Sequence, residues 1–245
     1  MEEIIQKEVA PVAEQKNKKA KKAAPAGVKK KKSRSYSIND MYAWKFANQE
    51  MPLKWAEHLG NIDSRFLMYV DGKPGNGKTE YIMQGAKMFC NHMGKTRINN
   101  VEQGKHTQIK SSVIRNDFKN GIPVGKFQYD NIRDYEAFKA KLKRPNSGKV
   151  IIIDSISYWP LTVSQIQELI DTFKAKSFVF VGYEAQFTKN QSIIHLCDIK
   201  VRISNFVATV IGSRFGGAAH YYIWPERFAA KVAEPTLFDI NPAAQ

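Results

Sequence analysis

A lysine and a threonine, Lys78 and Thr79, end a glycine-rich run of the form G-x4-G-K-T. The eight residues of this run are Gly72, Lys73, Pro74, Gly75, Asn76, Gly77, Lys78 and Thr79. Glycines let backbone N–H groups turn towards an anion, a lysine can reach the β- and γ-phosphates of a nucleotide, and a threonine hydroxyl can ligate Mg²⁺. The run therefore predicts a phosphate-binding P-loop that also contributes to a magnesium site.

The residues on either side of this run support the same interpretation. An apolar stretch at residues 66–70 predicts a buried strand before it, and residues 80–89 predict a helix after it. Strand, glycine-rich loop and helix in this order are the context that a P-loop requires, because the helix N-terminus adds a partial positive charge. A glycine-rich turn without a ligand is the alternative.

An aspartate, Asp154, follows a second apolar run at residues 150–153. Four consecutive β-branched residues in that run are typical of a central parallel strand that is buried on both faces. Ligands of open α/β sheets lie at the carboxyl ends of the strands, where a carboxylate can help to hold Mg²⁺. The sequence therefore predicts that Asp154 is a Walker B residue on the same edge as Thr79.

Further strands and helices alternate along the chain, which predicts an α/β fold: a mainly parallel central sheet flanked by helices, with antiparallel strands at its C-terminal end. The other predicted strands are residues 95–101, 126–129, 177–182, 200–203, 207–211 and 221–224. Predicted helices are residues 108–117, a helix that Asp130 caps, a helix that Thr162 caps, and residues 193–198.

Charge and composition divide the chain into four predicted segments. The whole chain carries a net charge of +15, of which residues 1–36 hold +7. These 36 residues have almost no large apolar side chains, so we predict a disordered basic tail that either binds nucleic acid or serves as a solubility tail or a nuclear address. Three segments follow this tail. A helical segment at 37–60 either packs on the domain or docks on a neighbouring subunit, a core that carries the P-loop spans 61–227, and an extension spans 228–245.

The two cysteines, Cys90 and Cys197, lie far apart in sequence and have no metal-ligand spacing. A reduced, cytoplasmic chain with both thiols buried is the simplest expectation. The sequence contains neither an apolar run of membrane-spanning length nor a signal-peptide core, so we expect no membrane association.

Five stretches in order, GKPGNGKT, VIIIDS, FVFVGYEAQ, SIIHLCDIKVRI and GSRFG, resemble the ATPase core of the RecA superfamily. The resemblance covers about residues 60–227, and it is closest to the RadA and DnaB branch. Two positions depart from the pattern of that branch: Gly212 replaces a basic residue and Ser213 replaces an asparagine.

The resemblance implies a role for each matching residue. Lys78 and Thr79 would bind phosphate and Mg²⁺, and Asp154 would be the Walker B carboxylate. Glu102 matches the glutamate that orients the attacking water, with Glu184 as a rival. Two further matches concern the γ-phosphate and a neighbouring subunit: Gln186 would sense the γ-phosphate, and Arg214 would reach the nucleotide of a neighbour.

These roles imply an ATPase that uses ATP and Mg²⁺ and acts on DNA, preferably single-stranded, in recombination, repair or replication. A site shared between subunits implies a homo-oligomeric ring or filament. Two alternatives stay open: a nucleotide-gated assembly protein with little hydrolysis, and a P-loop kinase, for which the sequence shows no Arg-rich lid insertion. Trp159, just past Asp154, could stack on a base or pack in the core.

Overall fold

The computed structural model describes residues 35–45, 49–184 and 190–233, and the side chains of residues 231–233 are not described. The chain divides into two compact units, and the boundary along the sequence falls between Trp44 and Lys45. The described part of the first unit contains one short helix, α1 (Ile38–Tyr42), in which Ser37 and Asp40 form a capping box. Its large apolar side chains are exposed, including Met41 and Tyr42.

The second unit contains an eight-stranded sheet, counted over its described residues. The strands are β1 (Leu67–Gly72), β2 (Thr96–Asn100), β3 (Phe127–Asp130), β4 (Val150–Asp154), β5 (Ser177–Val181), β6 (Ile199–Ser204), β7 (Val207–Ser213) and β8 (Tyr221–Tyr222). Their order across the sheet is β3-β2-β4-β5-β1-β6-β7-β8. Pairing from β3 to β6 is parallel, and β7 and β8 are antiparallel to their neighbours.

Helices cover both faces of this sheet. They are α2 (Leu53–Leu59), α3 (Lys78–His92), α4 (Thr107–Arg115), α5 (Tyr135–Lys143), α6 (Val163–Thr172), α7 (Gln191–Leu196) and α8 (Pro225–Ala233). The predicted fold class, α/β with a mainly parallel sheet and antiparallel C-terminal strands, is confirmed. None of the helices in the described residues is both long and apolar enough to cross a membrane.

The central strand β4 is apolar from Val150 to Ile153 because both of its faces are buried. Val150 and Ile152 pack into the core on one face of the sheet, and Ile151 and Ile153 pack into the core on the other face. All four side chains have no exposed surface. Because both faces are covered, the strand holds Asp154 at a fixed place on the carboxyl edge.

Several local predictions were wrong. The helix after β3 is capped by Asp134, whose side chain accepts a hydrogen bond from the N–H of Ala137, because Asp130 is still part of the strand. Residues 225–233 form one helix, α8, which crosses the predicted boundary between the core at 61–227 and the extension at 228–245. Within the helical segment predicted at 37–60, the helix that Ser37 caps ends already at Tyr42.

Candidate nucleotide site

A cavity of about 440 Å³ lies at the carboxyl edge of the sheet, where β1 and β4 end. Its wall includes the P-loop residues Gly77, Lys78 and Thr79 together with Glu102 and Asp154. The remaining lining residues are Pro74, Gly75, Glu80, Gln103, Thr107, Gln108, Ser111, Ser112, Arg115, Tyr183, Phe206, Trp224 and Arg227. Three separate segments that the sequence marked for nucleotide chemistry therefore share one cavity.

The P-loop needs glycine at two positions for identifiable reasons. Gly77 has φ of +98° at the start of α3, and a Cβ there would lie 2.9 Å from Cδ1 of Phe206. Gly72 has φ of +156°, and a Cβ there would lie 2.4 Å from the carbonyl oxygen of Ile203 on β6. The left-handed conformation at Gly77 lets the chain turn directly into the helix.

The ammonium group of Lys78 folds back onto its own loop. It donates hydrogen bonds to the carbonyl oxygens of Gly72, at 2.7 Å, and Lys73, at 3.1 Å. Burial lowers the pKa of Lys78, and the negative charges of Asp154 and Glu102 oppose that effect. The lysine thus lies between the loop and two carboxylates, where it can neutralise a phosphate.

Asp154 is buried, with 6% of its surface exposed. Burial, followed by the charge of Glu102, raises the pKa of Asp154 from 3.8 to about 7, and Lys78 partly offsets the rise. Asn100, which pairs with Asp154 across β2 and β4, donates its side-chain amide to Oδ2 of Asp154 at 2.9 Å. This hydrogen bond fixes one carboxylate oxygen.

The oxygen atoms of Thr79 and Asp154 fit a magnesium site. Among the described residues, no group of three or more His, Cys, Asp or Glu side chains is arranged to hold a metal ion by itself. Mg²⁺ in nucleotide sites characteristically takes one or two protein oxygens, with water and substrate phosphates as its other ligands. A hydroxyl and a carboxylate lining the same cavity meet that requirement.

Glu102 lies just past β2 and is held by two donors. The hydroxyl of Tyr183 donates to Oε1 at 2.5 Å, and the hydroxyl of Ser155 donates to Oε2 at 3.2 Å. Burial and the bond to Glu102 raise the pKa of Tyr183, so its hydroxyl keeps the proton that it donates. The rival carboxylate, Glu184, is not part of the cavity wall.

Of two further residues that the resemblance marked, one is not among the described residues and the other lies away from this cavity. Gln186 belongs to residues 185–189, outside the described residues. Arg214 follows β7 and donates to Oδ1 of Asp198 at 2.8 Å, next to the first residue of β6. Because β6 is parallel to β1, this places Arg214 at the amino edge of the sheet, opposite the P-loop. Its side chain is 67% exposed.

Two roles were expected for Trp159, in the segment after Asp154, and the structure supports packing in the core. Trp159 is buried, with 7% of its surface exposed, and its ring packs edge-on against Phe138 at 5.3 Å between ring centres. It is a core residue rather than a platform for a base. Its neighbour Tyr158 is the exposed aromatic here, with the guanidinium of Arg133 5.7 Å from its ring centre.

The sequence analysis missed several side chains of the site. Asn100 becomes visible only through the strand register, and Tyr183 directly follows the strand predicted at 177–182 but was given no role. Arg115, Trp224 and Arg227 come from α4 and from the segment that begins α8. The helix that carries Arg227 and follows Trp224 could have been predicted, because proline is favoured as the first residue of a helix and Pro225 directly follows Trp224.

No family model matches this chain, and no curated protein matches it in sequence. Among solved structures, it is similar to the flagellar accessory protein FlaH from Methanocaldococcus jannaschii, at 14% sequence identity and a TM-score of 0.48. That similarity covers 64% of this chain and 82% of the other.

The order of the strands agrees with the motifs they carry. The P-loop follows β1, the Walker B aspartate ends β4, and β5 lies between these two strands. The chain thus has an α/β fold in which the glycine-rich loop and Asp154 lie at the carboxyl edge of a mainly parallel sheet.

Proposed function

We propose that this chain binds ATP with Mg²⁺ and hydrolyses it. The observation that carries the proposal is the cavity that Lys78, Thr79, Asp154 and Glu102 line together. Phosphoryl transfer needs charge neutralisation, alignment and little covalent chemistry from the protein, and these four side chains supply the required types of group.

In this mechanism Lys78 leaves the carbonyl oxygens of Gly72 and Lys73 and binds the β- and γ-phosphates. When bound, Mg²⁺ supplies further neutralisation of the phosphate charge; Thr79 and Asp154 are the residues that would hold it. Glu102 orients the attacking water, because its carboxylate is fixed by the hydroxyls of Tyr183 and Ser155. Positioning of this kind accounts for most of the catalysis in P-loop enzymes.

The experiment that tests hydrolysis measures phosphate release and ATP binding in matched variants. Lys78→Ala should lose binding and turnover, because the loop then lacks the cation that reaches the β- and γ-phosphates. Glu102→Gln should keep ATP affinity and lose about a hundredfold or more in kcat. Glu184→Gln is the control at the rival carboxylate. Wild-type turnover in Lys78→Ala would show that the P-loop assignment is wrong. If kcat falls in Glu184→Gln and not in Glu102→Gln, Glu184 is the residue that orients the water.

We further propose a homo-oligomer in which Arg214 reaches the nucleotide of a neighbouring subunit, as in the RadA and DnaB branch. Its position at the edge opposite the P-loop is far from the nucleotide site of its own chain, so the proposed contact would be with the nucleotide of a neighbour. Arg214→Ala should bind ATP normally and lose turnover, and mixing it with Lys78→Ala should restore part of the activity. Absence of rescue in confirmed mixed assemblies would contradict the shared site.

DNA, preferably single-stranded, is the proposed partner, and the net charge of +15 supports it. Electrostatic binding releases counterions, so log K falls with log salt by about 0.7 for each phosphate neutralised on a single strand. Deleting residues 1–36, which carry +7, should weaken DNA binding and reduce this slope by several units while basal ATPase persists. An unchanged slope would make the tail a solubility device. If the intact chain does not bind DNA even at low salt, a nucleotide-gated assembly protein is the better interpretation.

A further inference from the structure

Two arginines that the proposed mechanism does not use lie in the wall of the nucleotide cavity. Arg115 is the last residue of α4, and Arg227 is in the first turn of α8. Thr107 and Ser111 also line the cavity, and with Arg115 they recur every four residues. Since residues at this spacing share one side of a helix, a single face of α4 borders the cavity and ends in a cation.

The indole ring of Trp224 holds both guanidinium groups. The guanidinium carbon of Arg115 lies 4.3 Å from the ring centre, and that of Arg227 lies 4.1 Å from it. The separation between the two guanidinium carbons therefore cannot exceed the sum of these two distances. Like charges repel at such a separation, and because both residues line the cavity, an anion bound there would be attracted by both.

The described residues leave these two cations without close hydrogen-bond acceptors. The one ion pair described for Arg115, with Oε2 of Glu80, is long at 3.7 Å. Both carboxylate oxygens of Glu80 already accept closer hydrogen bonds, from Ser112 Oγ and from Asn116 Nδ2, each at 2.7 Å. Glu80 thus joins the start of α3 to the end of α4 and keeps Arg115 near the P-loop without neutralising it fully.

We propose that Arg115 and Arg227 bind the phosphate chain of the nucleotide that is held by Lys78 of the same chain. This inference rests on the proposed nucleotide site and adds two arginines supplied in cis. A guanidinium has planar, forked donors that match phosphate oxygens, so each arginine can make paired, bidentate hydrogen bonds, a geometry that the ammonium of Lys78 does not offer. Trp224 holds the two groups in place while the site is empty.

The test compares two ligands that share phosphates and differ in the base. The full chain, with Mg²⁺, is titrated with ATP and with inorganic tripolyphosphate by calorimetry. Arg115→Gln and Arg227→Gln should each weaken both ligands by about tenfold or more, the usual effect of losing a charged hydrogen bond. Arg144→Gln removes the same charge from an exposed position after α5 and should change neither affinity.

A loss of affinity for ATP with unchanged affinity for tripolyphosphate would overturn the proposal, because the arginines would then contact the base or ribose. Unchanged affinity for both ligands would also overturn it. Thermal unfolding without ligand shows whether a variant is folded. If Arg115→Gln is unstable, Arg115→Lys keeps the charge without the fork, and it should still bind both ligands more weakly than wild type.

A mixing experiment decides whether the arginines act in cis. Adding the Lys78→Ala chain to the Arg115→Gln chain should not restore affinity for tripolyphosphate, since neither chain then has a complete site. Restoration would show that the arginine acts across subunits and would contradict the proposal. Because binding is measured, a wild-type chain that hydrolyses no ATP would refute the ATPase proposal and leave this test intact. Unchanged binding in Lys78→Ala would instead refute the P-loop assignment.

Discussion

Replacing the buried aspartate of the site, Asp154→Asn, should stabilise the metal-free protein, and more so at high pH. Burial and the nearby charge of Glu102 raise the pKa of Asp154 from 3.8 to about 7. The folded state therefore binds a proton more tightly than the unfolded state between these two values. In that window stability falls as pH rises, and above about pH 7 the full cost of ionising the buried carboxyl is present.

The size of the effect follows from the two pKa values. A pKa near 7 in the folded chain against 3.8 in the unfolded chain corresponds to roughly 4 kcal/mol of destabilisation at pH 8. At pH 5 the same group costs roughly 2 kcal/mol, because the folded state then remains protonated. Asparagine cannot ionise, yet its carbonyl oxygen can still accept the hydrogen bond from Asn100. The gain from Asp154→Asn should therefore be roughly 2 to 3 kcal/mol larger at pH 8 than at pH 5.

Urea unfolding at pH 5 and pH 8, with a chelator present, measures this gain for each variant. Asp171→Asn makes the same chemical change at an exposed position on α6 and should alter stability by no more than about 0.5 kcal/mol at either pH. If Asp154→Asn behaves like Asp171→Asn, or destabilises the protein at pH 8, the account of Asp154 as a strained buried carboxyl is refuted.

Three further substitutions test other parts of the site and its support. Gly77→Ala should cost about 1–3 kcal/mol in urea unfolding and weaken ATP binding, because φ is +98° there; normal binding would contradict this view of the loop. Arg202→Met should cost about 3 kcal/mol in thermal unfolding, because the fully buried carboxylate of Asp71 then loses the two hydrogen bonds that it accepts from that guanidinium. Adding Asp71→Asn to Arg202→Met should recover most of the lost stability, because the unpaired buried charge is then removed. Tyr183→Phe should lower kcat about tenfold at unchanged ATP affinity, because Glu102 loses its closest donor; a loss of affinity instead would mean that the tyrosine contacts the nucleotide itself.

The parts of the fold that could be predicted are those that local patterns encode. A run of β-branched residues identifies β4 because a strand covered on both faces has no polar position, and the P-loop is contiguous in sequence. The N-cap of α6 at Thr162 was predicted as well, and its side chain accepts the N–H of Gln165. Such features depend on residues a few positions apart.

The parts that could not be predicted depend on pairing between distant segments. Asn100 reaches Asp154 because β2 and β4 are adjacent in a particular register, although many residues separate them in the chain. Arg115 enters the cavity because Glu80 fixes the end of α4, which no local pattern of α4 indicates. Trp159 follows the Walker B strand directly, yet the position of α5 decides that its ring is buried.

The turn between β6 and β7 connects the nucleotide loop to the C-terminal helix. Phe206 has an unusual φ of +61°, its N–H donates to the carbonyl of Asn76, and its own carbonyl accepts the N–H of Ile223. Ile223 is two residues before α8 begins. A displacement of the P-loop on nucleotide binding would therefore pass through one residue to the start of that helix. A spectroscopic label on the exposed face of α8 would report nucleotide occupancy from outside the cavity, and a bulky fusion attached close after α8 would lower nucleotide affinity through the same connection.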